Sequence, residues 1–159
     1  MSALVPVAVT VNGKVRRHEI EPRLLLCDFL RHVVGLTGTH VGCEQGACGA
    51  CTVHFDTMPI RSCLMFAVQA NGHDVRTVED LTPSPETLHP LQQAFLDSHA
   101  LQCGYCTPGM LMSLVAFLRD YPDPTEAEIR EALSGHLCRC TGYQHIIDAT
   151  LLAAARMRD

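Results

Sequence analysis

Cysteine spacing constrains this sequence more than any other feature, because eight of its nine cysteines fall into two sets of four. The first set begins in "GCEQGACGACTV": Cys43, four residues, Cys48, two residues, Cys51, and then Cys63 after eleven more. The second runs from Cys103 and Cys106 in "LQCGYCTPGM", across 31 residues, to Cys138 and Cys140 in "GHLCRCTGY". Only Arg139 separates that last pair. A disulfide between such close neighbours is disfavoured, since bridging needs Cβ vectors that converge. One Cys-x-Cys also cannot close a four-ligand metal site, so Cys103 and Cys106 are expected to complete it.

Cys-x4-Cys-x2-Cys with a distant fourth cysteine is the plant-type [2Fe–2S] spacing. A rhombic cluster needs four thiolates from different directions. One short loop delivers three of them only by curling around the sulfides, and Gly42, Gly46 and Gly49 permit that curl and a close backbone approach. Backbone N–H groups in such a loop point at the cluster and stabilise its negative charge. The alternative is a structural zinc site, although zinc knuckles usually combine two Cys-x2-4-Cys pairs. In the second set both segments are expected at helix ends, where unpaired N–H groups and the helix dipole favour an anionic group. Zinc is the alternative there too. Cys27 is left over in an apolar stretch and reads as a small buried hydrophobe.

Nine cysteines in a cytoplasmic protein point to metal ligands rather than disulfides. The cytoplasm is the expected compartment. "MSALVPVAVTVNGK" lacks a basic start followed by an apolar run, and Arg16-Arg17 is followed by the polar "HEIEP" where a twin-arginine signal needs apolar residues. No apolar run reaches the roughly 20 residues of a membrane span. Hydrophobic residues at 47% and charged residues at 18% describe a foldable chain. Trp is absent and aromatics are 5%, so an aliphatic, Met-rich core is expected. The formal charge is -5 with no basic stripe, which argues against nucleic acid.

"VPVAVTVNGKVRRHEIEP" alternates around Asn12-Gly13, a strong signal for a tight hairpin. Residues 23–35 have helical periodicity, with Leu25, Phe29, Leu30, Val33 and Val34 on one side and Gly35 as C-cap. Strands are expected at "CTVHF", around Ile60 and at "DVRTV". The first half is therefore a small α+β domain. "LTPSPETLHP" reads as a Pro-rich linker. Four helices follow: "HPLQQAFLDSHA"; "TPGMLMSLVAFLRDYP", with Thr107 as N-cap and Pro108 at the first helical position; "PTEAEIREALSGH", with a Thr125–Glu128 capping box and closure at Gly135; and "YQHIIDATLLAAARM". No metal-hydrolase helix, phosphate loop or Rossmann fingerprint is present, so no catalytic residue is assigned and any substrate site is expected on another chain.

"GLTGTHVGCEQGACGACTV", "QCGYCTPGM" and "LCRCTGYQ" together resemble the small iron–sulfur subunit of the molybdenum hydroxylases, the xanthine dehydrogenase and aldehyde oxidoreductase superfamily. "RSCLMFAVQANG" is particularly similar to the small chain of aerobic carbon monoxide dehydrogenase. The resemblance covers nearly the whole chain. It implies a β-grasp plant-type ferredoxin domain over residues 1–79 and an all-α four-helix domain over residues 80–159, each holding one [2Fe–2S] cluster. It further implies a molybdopterin-binding large subunit, with Gln102 and Cys140 against the pterin. An FAD-binding medium subunit would face the first cluster, in a dimer of heterotrimers. One departure is visible: the family has Asn before Leu-Cys-Arg-Cys, and this chain has His136, read as a polar helix-end residue. A free-standing ferredoxin-type carrier and a zinc-stabilised interaction module are the competing functions.

Overall fold

The computed structural model describes residues 3–82, 84 and 87–158. Strand β1 (Val5–Val11) turns at Asn12-Gly13 into β2 (Lys14–Ile20). Both turn residues have positive φ, 50° and 73°, which a two-residue turn between right-twisted strands demands. Val7, Val9 and Val11 alternate into the core, as a half-buried strand requires. Strands β3 (Thr52–Phe55), β4 (Met58–Arg61) and β5 (Asp74–Arg76) complete a mixed sheet in the order β2-β1-β5-β3-β4. β1 pairs antiparallel with β2 and parallel with β5, while β3 is antiparallel to both β4 and β5. β5 meets β1 only at Thr10 and Val11, so Pro6, which has no N–H to give, lies beyond that pairing. This is the β-grasp arrangement.

The expected helix over residues 23–35 is shorter and differently wound. Regular α-helix, α1, covers only Leu26–Asp28 and continues as a π turn over Phe29–Val33. Leu26 and Cys27 of α1 and Phe29 and Leu30 of the wider turn are buried, while Val33 is 38% exposed and does not join the buried face. The start is tied to the sheet side by Leu26 N–H to the Met65 carbonyl and Ala67 N–H to the Leu24 carbonyl. Gly35, at φ 82°, ends the segment as expected.

Pro83, Pro85 and Glu86 of the expected linker lie outside the described residues. The helices are α2 (Pro90–Asp97), α3 (Thr107–Asp120), α4 (Glu126–Leu133) and α5 (Gln144–Arg158). The Thr125–Glu128 capping box opens α4. Thr107 is not the N-cap of α3; Cys106 is, and the Thr107 hydroxyl is buried without a partner among the described residues. Gly135 does not close α4 as a left-handed cap. The helix stops at Leu133 with Ser134 as its cap, and the Gly135 carbonyl is held instead by Arg61.

Helix α3 joins the two halves. Met110, Leu111, Leu114 and Leu118 pack into the core formed with α2, α4 and α5. The Met112 carbonyl accepts from His54 Nε2 on β3 at 2.6 Å. Arg119, near the end of α3, donates to the Thr57 carbonyl at 2.9 Å.

Two thiol sites and the joint between them

The first loop, residues 38–51, has no regular structure and is shaped by a few strong contacts. Arg31 Nη1 donates to the Thr37 and Thr39 carbonyls, and Glu79 accepts from the Gly38 N–H. Gly46 and Gly49 take φ of 80° and 77°, so the curl depends on left-handed backbone there. Gly42 serves approach instead: a Cβ on it would stand 3.2 Å from Cys48 Sγ.

All four cysteines of the first set come together, as two pairs. Cys48 lies beside Cys43, and Cys51 beside Cys63. The backbone N–H groups of Gln45 and Cys48 point at Cys43 Sγ, the latter at 3.3 Å, and hold its thiol down to about 7. Burial, with Cys51 alongside, pushes Cys63 up to about 11. Cys27 is fully buried and packs against Cys51 and Cys63.

The second set also meets in pairs. Cys140 Sγ lies 3.5 Å from Cys103 Sγ, and Cys106 lies beside Cys138. Burial and the Cys138 partner push Cys106 up to about 12. Thr141 directs both its N–H (3.5 Å) and its hydroxyl (3.1 Å) at Cys138 Sγ, and Tyr105 N–H points at Cys103 Sγ. A cavity of about 170 Å³ is lined by these four cysteines and by Gly42 and Cys48 of the first loop. Cys103 and Cys140 are exposed, as is Gln102 beside them.

The arrangement of the thiols bears on the two metal readings. A structural zinc ion needs four donors converging on one point. Two pairs per site match a binuclear centre, in which each iron takes two thiolates and the N–H groups aimed at sulfur offset its negative charge. The residues fit two [2Fe–2S] clusters.

The loops touch directly. Leu137 N–H donates to the Cys48 carbonyl at 3.0 Å, and Tyr105 hydroxyl donates to the Val41 carbonyl at 2.7 Å. Sequence reading missed this joint. His136, expected as a polar helix end, is 97% buried against Gly49, since its relative exposure is 3%. Burial first, and the Arg61 guanidinium second, push its imidazole down to about 4. Tyr143 was also missed: its hydroxyl donates to the His136 carbonyl and accepts from the Cys138 N–H.

The chain is similar to known iron–sulfur proteins over nearly its whole length. A family described as "2Fe-2S iron-sulfur cluster binding domain" matches residues 9–76, and one described as "[2Fe-2S] binding domain" matches residues 77–151. The gamma subunit of caffeine dehydrogenase from Pseudomonas sp. strain CBB1 is 56% identical over 146 residues, covering 90% of this chain and 87% of that one. Quinoline 2-oxidoreductase from Pseudomonas putida 86 superposes with a TM-score of 0.94 at 52% identity, covering 99% of this chain and 98% of that one. Aldehyde oxidoreductase from Desulfovibrio gigas superposes with a TM-score of 0.90 at 39% identity. There the match covers 97% of this chain and only 17% of a much longer one.

Proposed function

The chain belongs to the small iron–sulfur subunits of the molybdenum hydroxylases and is the electron-transfer subunit of a multi-subunit oxidoreductase of that family, and from this premise we propose how its own residues serve the transfer. It carries two [2Fe–2S] clusters and works beside a molybdopterin-binding large subunit. Each cluster, when bound, takes up and releases one electron. We assign Cys43, Cys48, Cys51 and Cys63 to the first, and Cys103, Cys106, Cys138 and Cys140 to the second. Gly42, Gly46 and Gly49 bring the first loop's backbone close around its cluster.

The pairing of the thiols carries this assignment. Exposure supports its direction: in the second set Cys103 and Cys140 are the exposed pair, with exposed Gln102 next to them. Gln102 has an amide with both donor and acceptor ability, suited to a polar heterocycle such as the pterin at a subunit interface. Electrons then enter at the helical domain and leave by the first cluster toward an FAD-binding subunit. We place the domain boundary at 79/80 and the complex, a dimer of heterotrimers, in the cytoplasm. No helix among the described residues is long and apolar enough to cross a membrane. Since relatives are named for caffeine and quinoline, we infer that the complex oxidises an N-heteroaromatic substrate, bound on another chain.

A free ferredoxin-type carrier would need only the first domain. Co-purification decides between the two. The expected result is this chain held with two larger chains, and about four iron atoms per copy of it from two two-iron centres. A fully loaded chain that purifies alone, and exchanges electrons with unrelated acceptors, would overturn the assignment to a fixed complex.

A further inference from the structure

His136 occupies an unusual place for a polar side chain. It follows α4, with its N–H on the Leu133 carbonyl at 2.9 Å, and its ring enters the joint between the two thiol loops. One edge is tethered: Nε2 lies 2.7 Å from Ser113 Oγ on α3 and 3.4 Å from Arg61 Nη2 on β4. The other edge, Nδ1 and Cε1, presses on the Cα of Gly49, so closely that no Cβ would fit there. Nδ1 has no hydrogen-bond partner among the described residues. A buried nitrogen left unpaired is destabilising, so fold stability alone gives little reason for a histidine here.

The ring's surroundings converge on both sites. Gly49 lies between Cys48 and Cys51 of the first set. The peptide that follows the His136 ring donates, through Leu137 N–H, to the Cys48 carbonyl. The His136 carbonyl and the Cys138 N–H share the Tyr143 hydroxyl, at 3.0 and 2.7 Å. Arg61 closes the ring of contacts, donating to the Gly135 carbonyl and to Thr52 Oγ1, whose hydroxyl donates to the Gly49 carbonyl. A displacement of the imidazole therefore moves the backbone of Cys48 on one side and of Cys138 on the other.

We propose that His136 is a positioning residue, a wedge tethered by Ser113 whose ring sets the separation of the two thiol sites and with it the coupling between the two clusters. The proposal rests on the assignment of the eight thiols as cluster ligands. Two reduced clusters are paramagnetic, and their dipolar interaction falls with the cube of their separation. Electron transfer between them falls still more steeply with distance.

The test uses the assembled complex, with iron content, thermal unfolding and low-temperature paramagnetic resonance of the fully reduced protein. His136→Ala should retain full iron, shift the splitting between the clusters beyond its linewidth, and slow intercluster transfer several-fold. Ser113→Ala, which removes only the tether, should shift the splitting in the same direction by less. Ile129→Val, in the core of α4, should lower the unfolding temperature and leave the splitting alone. Three results would overturn the proposal: unchanged splitting in a fully loaded His136→Ala protein; failure of His136→Ala to load iron while Ser113→Ala keeps wild-type splitting; or an equal shift in Ile129→Val. Wild-type complex without iron in this chain would remove the underlying cluster assignment instead.

Discussion

The Cα of Gly109, in the first turn of α3, lies directly on the first thiol loop at Gly49: a Cβ on Gly109 would stand 2.9 Å from the Cα and the carbonyl oxygen of Ala50, and closer still to the Gly49 carbonyl. The neighbours are backbone, which cannot rotate away. Gly109→Ala should therefore push α3 off the loop that holds Cys48 and Cys51. Overpacking of this kind destabilises by about 1–3 kcal/mol. A lower unfolding temperature with reduced iron content is the expected result, and wild-type values for both would show that the joint is compliant.

The pairing of the thiols makes the two sites separable. Cys63→Ser should remove or alter one paramagnetic signal and Cys106→Ser only the other, with iron falling from about four toward about two per chain in each. A single substitution that erased both signals would mean that the two sets do not fold as independent centres.

Iron removal should act locally first. The loop over residues 38–51 has no regular structure and few backbone hydrogen bonds of its own, whereas the β1–β2 hairpin and the α2–α5 core have many. Metal that binds only the folded site adds its binding energy to folding, so chelation should open this loop and residues 135–142 before the rest. Hydrogen exchange on the chelated protein should show lost protection there and retained protection at Val7, Val9 and Val11. Equal protection before and after chelation would sink the idea.

Two histidines away from the thiol sites contribute to the acid sensitivity of the fold. Burial holds the imidazoles of His54 and His89 below their ordinary value of 6.5. His54 donates to the Met112 carbonyl, and His89 Nδ1 accepts from Leu91 N–H as the cap of α2. The unfolded chain takes up these protons near 6.5 while the folded chain does so at lower pH. Below about pH 6.5 the unfolded state binds more protons, so stability falls with acidification until the folded values are reached. His54→Gln, which keeps a donor toward Met112, and His89→Asn, which keeps a cap, should each flatten the fall in unfolding temperature between about pH 7 and about pH 5. Slopes identical to wild type would place the acid sensitivity elsewhere.

The parts legible in the sequence are those decided by near neighbours. Asn12-Gly13 announces its turn because both residues tolerate positive φ, and Thr125–Glu128 announces a helix start because the two side chains serve each other's backbone. The close cysteine spacings, Cys43–Cys48–Cys51 and Cys138–Cys140, are local in the same sense, whereas Cys63 and the Cys103–Cys106 pair join them only through the fold. Residues 23–35 were misjudged because an apolar run cannot reveal that its first turn is pinned by Met65 and Ala67, with a π turn after it that sends Val33 outward. Gly109 and His136 were invisible as joint residues. Their roles exist only once α3 and the end of α4 are packed on Gly49, and no local spacing encodes that contact.

Cys27 is the ninth cysteine, and the structure gives it a role between core and site. Its side chain is fully buried, packs against Cys51 and Cys63, and has Asp28 Oδ1 as a distant acceptor at 4.0 Å. Burial first, then the neighbouring Asp28, pushes its thiol up to about 12, so it stays protonated and apolar in character. Cys27→Ala should keep both clusters, since the eight paired thiols remain. Loss of a sulfur from a packed site should still lower stability by about 1–2 kcal/mol. Cys27→Ser introduces a buried hydroxyl with no good partner, for a comparable or larger loss of about 1–3 kcal/mol. Both variants should perturb the lineshape of the first cluster's signal, whose ligands Cys51 and Cys63 touch Cys27, and leave the second unchanged. Unfolding scans with paramagnetic resonance on the loaded protein decide it: loss of the first cluster in Cys27→Ala would make Cys27 part of the ligand environment rather than packing beside it.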